Sequence, residues 1–308
     1  MVEPVLSVRG LRKSYGPVKA LRGLDLELQP GRSLAIVGES GSGKTTAAMC
    51  IAKLVSADAG EVRIGGAEFL GTGASQTVLL RREFGVVLQN PLSSLDPRQR
   101  IWVSVIEPLQ VHMKGLDRAA LHDRALEMLT RVGLGEAMAD RLPHQLSGGQ
   151  LQRAVIARAL ILQPRLVILD EPTSALDVSV QAQVLNLLCD LRDELQLSYL
   201  FITHNLALVE ILAHEVLVMY AGGVVERGPV HQVFAAPRHP YTAELLAAVP
   251  GAGTPLLDAK PDPGFAATGC AYQLRCAHAQ AACRGVAPTE AAGQLSASCH
   301  FPLGGTAP

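Results

Sequence analysis

Leu34-Ala35-Ile36-Val37-Gly38-Glu39-Ser40-Gly41-Ser42-Gly43-Lys44-Thr45 is the stretch that decides the fold. Four apolar residues in a row suit a strand buried on both faces, as in a parallel sheet. A glycine-rich run follows at once, and Thr46 to Leu54 reads as a helix. Gly38 to Thr45 fits the pattern GxxxxGK[ST], and strand, loop and helix in that order are its proper setting. Glycines let the backbone curl until successive N–H groups face one phosphate, and the following helix adds the positive end of its dipole. Gly38, Ser40, Gly41, Gly43, Lys44, Thr45 and Thr46 are therefore candidate phosphate contacts. In this pattern the lysine reaches the outer phosphates and the Thr45 hydroxyl takes Mg²⁺. A plain glycine-rich turn before a helix is the bland alternative, and the buried strand ahead of it argues against that.

Working outward, the first third of the chain carries short β-rich runs at Val5–Val8, Leu24–Leu28 and Val62–Ile64. From Asn90 to Leu162 the pattern turns helical. Ala119–Val132 sets Leu121, Ala125, Leu126 and Leu129 on one face, and a second helix runs from the Ser147-Gly148-Gly149 step to a stop at Gln163-Pro164. A buried strand at Leu166–Leu169, a helix at Val178–Leu195 and a strand at Tyr199–Thr203 come next. Leu206–Val225 reads as a helix followed by a strand. Alternating strands and helices indicate an α/β fold with a parallel sheet and a helical insertion.

The strand at Leu166–Leu169 ends in Asp170-Glu171, which puts two carboxylates at the edge where open α/β sheets bind ligands. Asp170 suits a metal's surroundings, and Glu171 suits a general base for an attacking water. Leu146-Ser147-Gly148-Gly149-Gln150 is the next unusual run. Ser147 is a good helix N-cap, but a cap needs no glycines after it. Two glycines make sense where the backbone must come close to an anion.

With phosphate loop, Gln89, LSGGQ, Asp170-Glu171 and His204 in that order, the chain resembles a nucleotide-binding subunit of the ABC transporters over residues 1 to about 238. The resemblance implies a P-loop ATPase domain with a parallel-sheet core, an antiparallel β part and a helical subdomain at about 90–163. It implies ATP hydrolysis with Mg²⁺, in a pair of such domains, with the phosphate loop of one facing Ser147, Gly148, Gly149 and Gln150 of the other. Tyr15 resembles the aromatic that stacks on adenine. Gln89 resembles the glutamine that senses metal and water, with Thr45 and Asp170 as its companions at magnesium. Ser174-Ala175-Leu176-Asp177 resembles the loop between the two sites, and His204 resembles the switch histidine at the γ-phosphate. Glu171 would be the catalytic base. Cys50 and Cys189, on predicted helices, read as small core residues.

Three further segments resemble the importers of dipeptides, oligopeptides and nickel: Gln89-Asn90-Pro91-Leu92-Ser93-Ser94-Leu95-Asp96-Pro97-Arg98, His239-Pro240-Tyr241-Thr242, and a tail with Cys270, Cys276, Cys283 and Cys299. A proline- and glycine-rich linker, 249–263, precedes that tail. The resemblance makes 239–308 a C-terminal extension of that branch. It implies two membrane permease subunits, a second ATPase (a different chain, making a heterodimer) and a solute-binding protein as partners. It also implies a peripheral position on the cytoplasmic face of the inner membrane. Gaps of five, six and fifteen residues between these cysteines fit neither the paired spacing of zinc ribbons nor a ferredoxin run. The family resemblance favours a 4Fe–4S cluster; zinc or no metal stays open.

Composition narrows the classes. With 27 basic and 28 acidic residues and 4% aromatics, no nucleic-acid surface is expected. Met1-Val2-Glu3-Pro4 does not open a signal peptide. The competing function is a soluble ABC ATPase acting on protein partners, such as one serving iron–sulfur assembly, and the His-Pro-Tyr-Thr tail counts against it.

Overall fold

The computed structural model describes residues 3–248, 266, 268–288 and 295–304. In chain order it holds β1 (Leu6–Tyr15), β2 (Val18–Leu28), β3 (Ser33–Val37), α1 (Lys44–Ile51), β4 (Ala59–Ile64), β5 (Ala67–Glu68), α2 (Ala74–Leu80) and β6 (Phe84–Val87). Then come α3 (Ile101–His112), α4 (Arg118–Arg131), α5 (Glu136–Ala139), α6 (Gly148–Leu160), β7 (Leu166–Asp170), α7 (Val178–Leu195), β8 (Ser198–Thr203), α8 (Leu206–Leu212) and β9 (Glu215–Tyr220). β10 (Gly223–Pro229), α9 (Val230–Ala235), α10 (Pro240–Ala247), α11 (Ala281–Gly285) and β11 (Ser296–Ala297) complete it. The chain divides into two compact units, and it passes from one to the other within β1, β2, β3, β4 and β8.

The first unit takes 1–8, 26–33 and 61–201. Here β6 and β7 pair in parallel, Phe84 with Leu166 through Val87 with Leu169. All five residues of β7 are buried, as an apolar strand in a parallel sheet requires. The helical insertion is present: α3 packs on α4 and α6, and Leu121, Ala125 and Leu129 of α4 face inward as their spacing predicts. Leu126 of the predicted stripe lies off that buried set, and Met128 takes a place in it. Asp117 caps α4 by accepting from Ala120 N–H at 2.8 Å.

The second unit takes 9–25, 34–60 and 202–308. β3 pairs in parallel with β9, Leu34 opposite Glu215 through Val37 opposite Val218. β10 pairs antiparallel with β9 and with β11. The predicted helix Thr46–Leu54 sits two residues earlier in the structure, because Lys44 already opens α1 and Lys53 turns to φ 53°. Cys50 is buried in α1 as expected, whereas Cys189 of α7 in the first unit is only half-buried. The predicted linker at 249–263 lies outside the described residues.

Candidate functional site

The phosphate loop is built on two close approaches of backbone to backbone in the second unit. A Cβ on Gly38 would stand 2.2 Å from the Met219 carbonyl oxygen, and one on Gly43 would stand 2.3 Å from that of Ala20. Gly43 also has φ +104°, a conformation L side chains rarely adopt. Neither place can hold anything but glycine without moving main chain. Lys44 is 6% exposed, and its ammonium folds back to donate to the carbonyls of Gly38 and Glu39, both at 2.8 Å. Ser40, Gly41 and Thr45 are exposed, and Gly43 and Thr46 are half-buried. Tyr15 ends β1 with half of its surface open, and the Lys13 ammonium lies 5.4 Å from its ring centre. His204 is exposed directly after β8, and the next residue, Asn205, caps α8 by accepting from Ala207 N–H at 3.1 Å.

In the first unit β7 delivers Asp170, buried at 2% exposure, and Glu171 follows at φ 47°. Left-handed backbone is costly for a side-chain-bearing residue and is held only where its surroundings fix it. Gln89 meets Glu171 here: its Nε2 donates to Glu171 Oε2 at 3.0 Å. The structure thus joins a glutamine and a carboxylate 82 positions apart. β6 stops at Val87, so Gln89 stands two residues beyond the strand and is exposed.

The Leu146–Gln150 run is a reciprocal cap. Ser147 Oγ accepts from Gln150 N–H at 3.3 Å, and Gln150 Oε1 accepts from Ser147 N–H at 3.0 Å. Its glycines differ in their reasons. A Cβ on Gly149 would come 2.4 Å from Val180 Cγ1, so packing of α6 against α7 explains this residue. Gly148 is exposed, and a Cβ there would meet only Leu176 Cδ2 at 3.3 Å. Gly149 thus has a packing reason of its own beside the expected anion role, whereas Gly148 stands in more open space. Asp177 caps α7 by accepting from Val180 N–H at 3.0 Å and from the Ser179 hydroxyl at 2.7 Å. These bonds, the Val180 amide first, hold its carboxyl below the usual range.

The His239-Pro240-Tyr241-Thr242 run has a structural meaning that sequence reasoning missed. His239 is the N-cap of α10, its Nδ1 accepting from Tyr241 N–H at 3.0 Å, and Pro240 takes the first helical position. Tyr241 is wholly buried, and its hydroxyl accepts from the Glu39 N–H of the phosphate loop at 2.8 Å. Glu226, also wholly buried, accepts from the N–H groups of Arg238 and His239 at 2.7 and 2.9 Å.

Cys270, Cys276, Cys283 and Cys299 line one small cavity, with His239, His278 and His300 among the other walls. Burial pushes the thiols of Cys270, Cys276 and Cys299 up from their ordinary value. Among the described residues no three His, Cys, Asp or Glu side chains are arranged to hold a metal ion. The cysteines are gathered, but not as a ligand set. No described helix is long and apolar enough to cross a membrane.

Comparison with known proteins shows the family. Residues 21–174 match the family described as ABC transporter, and 225–283 match the oligopeptide/dipeptide transporter C-terminal region. The chain is 42% identical over 300 residues to the di/tripeptide transport ATP-binding protein DppF of Pseudomonas aeruginosa, covering 95% of this chain and 93% of that one. It is 45% identical over 259 residues to the glutathione import ATP-binding protein GsiA of Salmonella paratyphi A, covering 80% of this chain and 41% of that one. Among solved structures, the dimeric ATP-binding cassette MJ0796 in a post-hydrolysis state with ADP and Pi superposes with a TM-score of 0.67 at 30% identity, over 73% of this chain and 98% of that one. These similarities go with an importer subunit and not with an iron–sulfur assembly ATPase.

Proposed function

Because this chain belongs to the ATP-binding subunits of ABC transporters, and so is an ATPase, we propose that it powers import of di- or oligopeptides, or a related small solute, through partner permeases. The observation that carries the reading is the match of 225–283 to the oligopeptide/dipeptide region, in a chain similar over 95% of its length to a peptide-transport ATPase.

In this reading Lys44 exchanges its bonds to the Gly38 and Glu39 carbonyls for phosphate oxygens, which are stronger, charge-assisted acceptors. Gly38, Ser40, Gly41, Gly43 and Thr46 line the same cradle, and Tyr15 stacks on the base. Thr45 and Asp170 are hard oxygen donors of the kind magnesium prefers, with Gln89 beside them in role. Magnesium, when bound, neutralises charge that develops on the phosphates. Glu171 polarises the attacking water, held meanwhile by Gln89. His204 contacts the γ-phosphate, Asp177 bridges the two sites, and Ser147, Gly148, Gly149 and Gln150 close the site of a second ATPase. Such catalysis is mainly positioning and electrostatics.

The partners in this reading are two permeases, a second, different ATPase and a solute-binding protein, with this chain on the cytoplasmic face of the membrane. The residues of the tail fit an iron–sulfur cluster only in part: four thiols face one cavity, without the arrangement of a ligand set. Cys270, Cys276, Cys283 and Cys299 would hold it, as a stabilising staple, and no step of hydrolysis passes through it. Iron and sulfide analysis of anaerobically purified protein tests this.

Affinity purification of the tagged chain from detergent-solubilised membranes tests the main reading. Co-purification of two polytopic permeases and a second ATPase supports it. Recovery with soluble partners alone refutes it.

A further inference from the structure

The C-terminal extension grips the phosphate loop at Glu39, the residue after Gly38. Every polar group of Glu39 has a partner in the same unit. Its N–H donates to the Tyr241 hydroxyl at 2.8 Å, and its carbonyl accepts from the Lys44 ammonium at 2.8 Å. Its carboxylate takes a two-pronged pair from Arg275, Nη1 to Oε2 at 2.8 Å and Nη2 to Oε1 at 3.0 Å. Arg275 is itself held from behind. Its Nη2 also donates to Glu244 Oε1 of α10 at 2.6 Å, and its guanidinium lies 5.8 Å from the Tyr272 ring centre and 6.0 Å from that of Tyr220. The N–H groups of Arg275 and Cys276 both donate to the Tyr272 carbonyl, at 3.0 and 3.1 Å, so the residue rides on a tight turn.

A carboxylate carried on a triphosphate-binding loop has the wrong charge for its neighbour. Left alone, Glu39 repels the ligand that the loop exists to hold. A planar guanidinium that pairs it through both oxygens offsets that charge, although it is shared with Glu244, and fixes the side chain in one place. We propose that Arg275 is a positioning residue for ATP binding: through Glu39 it offsets the negative charge on the phosphate loop and tethers it, so that the extension sets the loop's affinity for nucleotide. This rests on Gly38–Thr45 being the nucleotide cradle, as proposed above.

The test is initial ATPase rate against MgATP concentration, on the full chain purified with its partners. Arg275→Ala is expected to raise KM about threefold to tenfold with kcat within about twofold, the scale of a partly exposed charged pair. Arg275→Lys keeps the charge without the fork and falls between; it carries the test if Arg275→Ala does not assemble. Adding Glu39→Gln to Arg275→Ala removes the repelling charge, and KM is expected to return most of the way. An extension that merely stabilises the fold predicts no such rescue. A wild-type KM in Arg275→Ala and Arg275→Lys, or a raised KM that Glu39→Gln leaves unchanged, overturns the proposal. Lys44→Ala separates the two levels. Wild-type turnover there removes the cradle itself, whereas a dead Lys44→Ala beside a wild-type KM in the arginine variants removes only the role of Arg275.

Discussion

Acidification should loosen the extension through one histidine. His239 is 1% exposed, and burial pushes its imidazole down from 6.5 to about 4. Its Nδ1 accepts the Tyr241 N–H, so the cap needs the neutral ring; a proton on that nitrogen would set donor against donor. The unfolded chain therefore binds this proton more readily than the folded one. Stability is unaffected by His239 above about pH 6.5, falls as pH drops below it, and reaches its full loss near pH 4, for about 3 kcal/mol in all and about 2 kcal/mol by pH 5. Other groups titrate too, so the useful quantity is the difference from His239→Asn, which keeps a capping side chain and has no proton to gain. Urea unfolding followed by circular dichroism at pH 7.5 and pH 5.0 gives that difference. The histidine protein should lose about 2 kcal/mol more than the asparagine variant over this interval. If the difference between them is the same at both pH values, the ring is not held neutral and the capping argument fails.

Three other substitutions probe the site. Glu171→Gln in the assembled complex should cut turnover by about 10²–10⁴-fold while ATP still binds, read by hydrolysis rate and nucleotide retention. Gly43→Ala places a methyl 2.3 Å from a main-chain oxygen at φ +104°, so it should cost about 2 kcal/mol or more and abolish binding of a fluorescent ATP analogue. Gly149→Ala should lower stability by about 1–3 kcal/mol through the Val180 contact, and Val180→Ala in the same chain should recover part of that loss in a thermal melt.

What could be read beforehand was whatever rests on short-range chemistry. The phosphate loop, the apolar strands β3 and β7, the α4 stripe and the alternation around α7 and β8 all follow from patterns within a dozen residues. Ser147 as a cap was equally visible. α3 escaped a specific assignment because Pro108 lies inside it, where proline ordinarily ends a helix. The Gln89–Glu171 bond and the grip of Tyr241 and Arg275 on Glu39 join residues far apart in sequence, and no local spacing encodes them. The His-Pro-Tyr run could have given more: a histidine before Pro240 is a plausible capped helix start, and only its burial was hidden. Gly149 has a second reason that no spacing could show, the close approach of Val180 from the next helix.

The cap that Ser147 forms and the phosphate contact proposed for it can be pulled apart. Its hydroxyl caps α6, accepting from Gln150 N–H, and both Ser147 and Gly148 remain exposed. An aspartate at this position caps a helix as well as serine does and favours the positive end of the dipole. Ser147→Asp should therefore leave the thermal melt of the chain within about 0.5 kcal/mol of wild type, while Ser147→Ala should lose about 1 kcal/mol. In the proposed reading, where this position faces the γ-phosphate of a second ATPase, the same aspartate brings like charge to like charge and removes a hydroxyl donor. Turnover of the assembled complex should then fall by about 10²-fold or more in Ser147→Asp, and by less in Ser147→Ala. Stability and activity would thus rank the two variants in opposite orders. Ser147→Asp with normal turnover would mean that this helix end meets no phosphate, and that LSGGQ in this chain is a cap and nothing more.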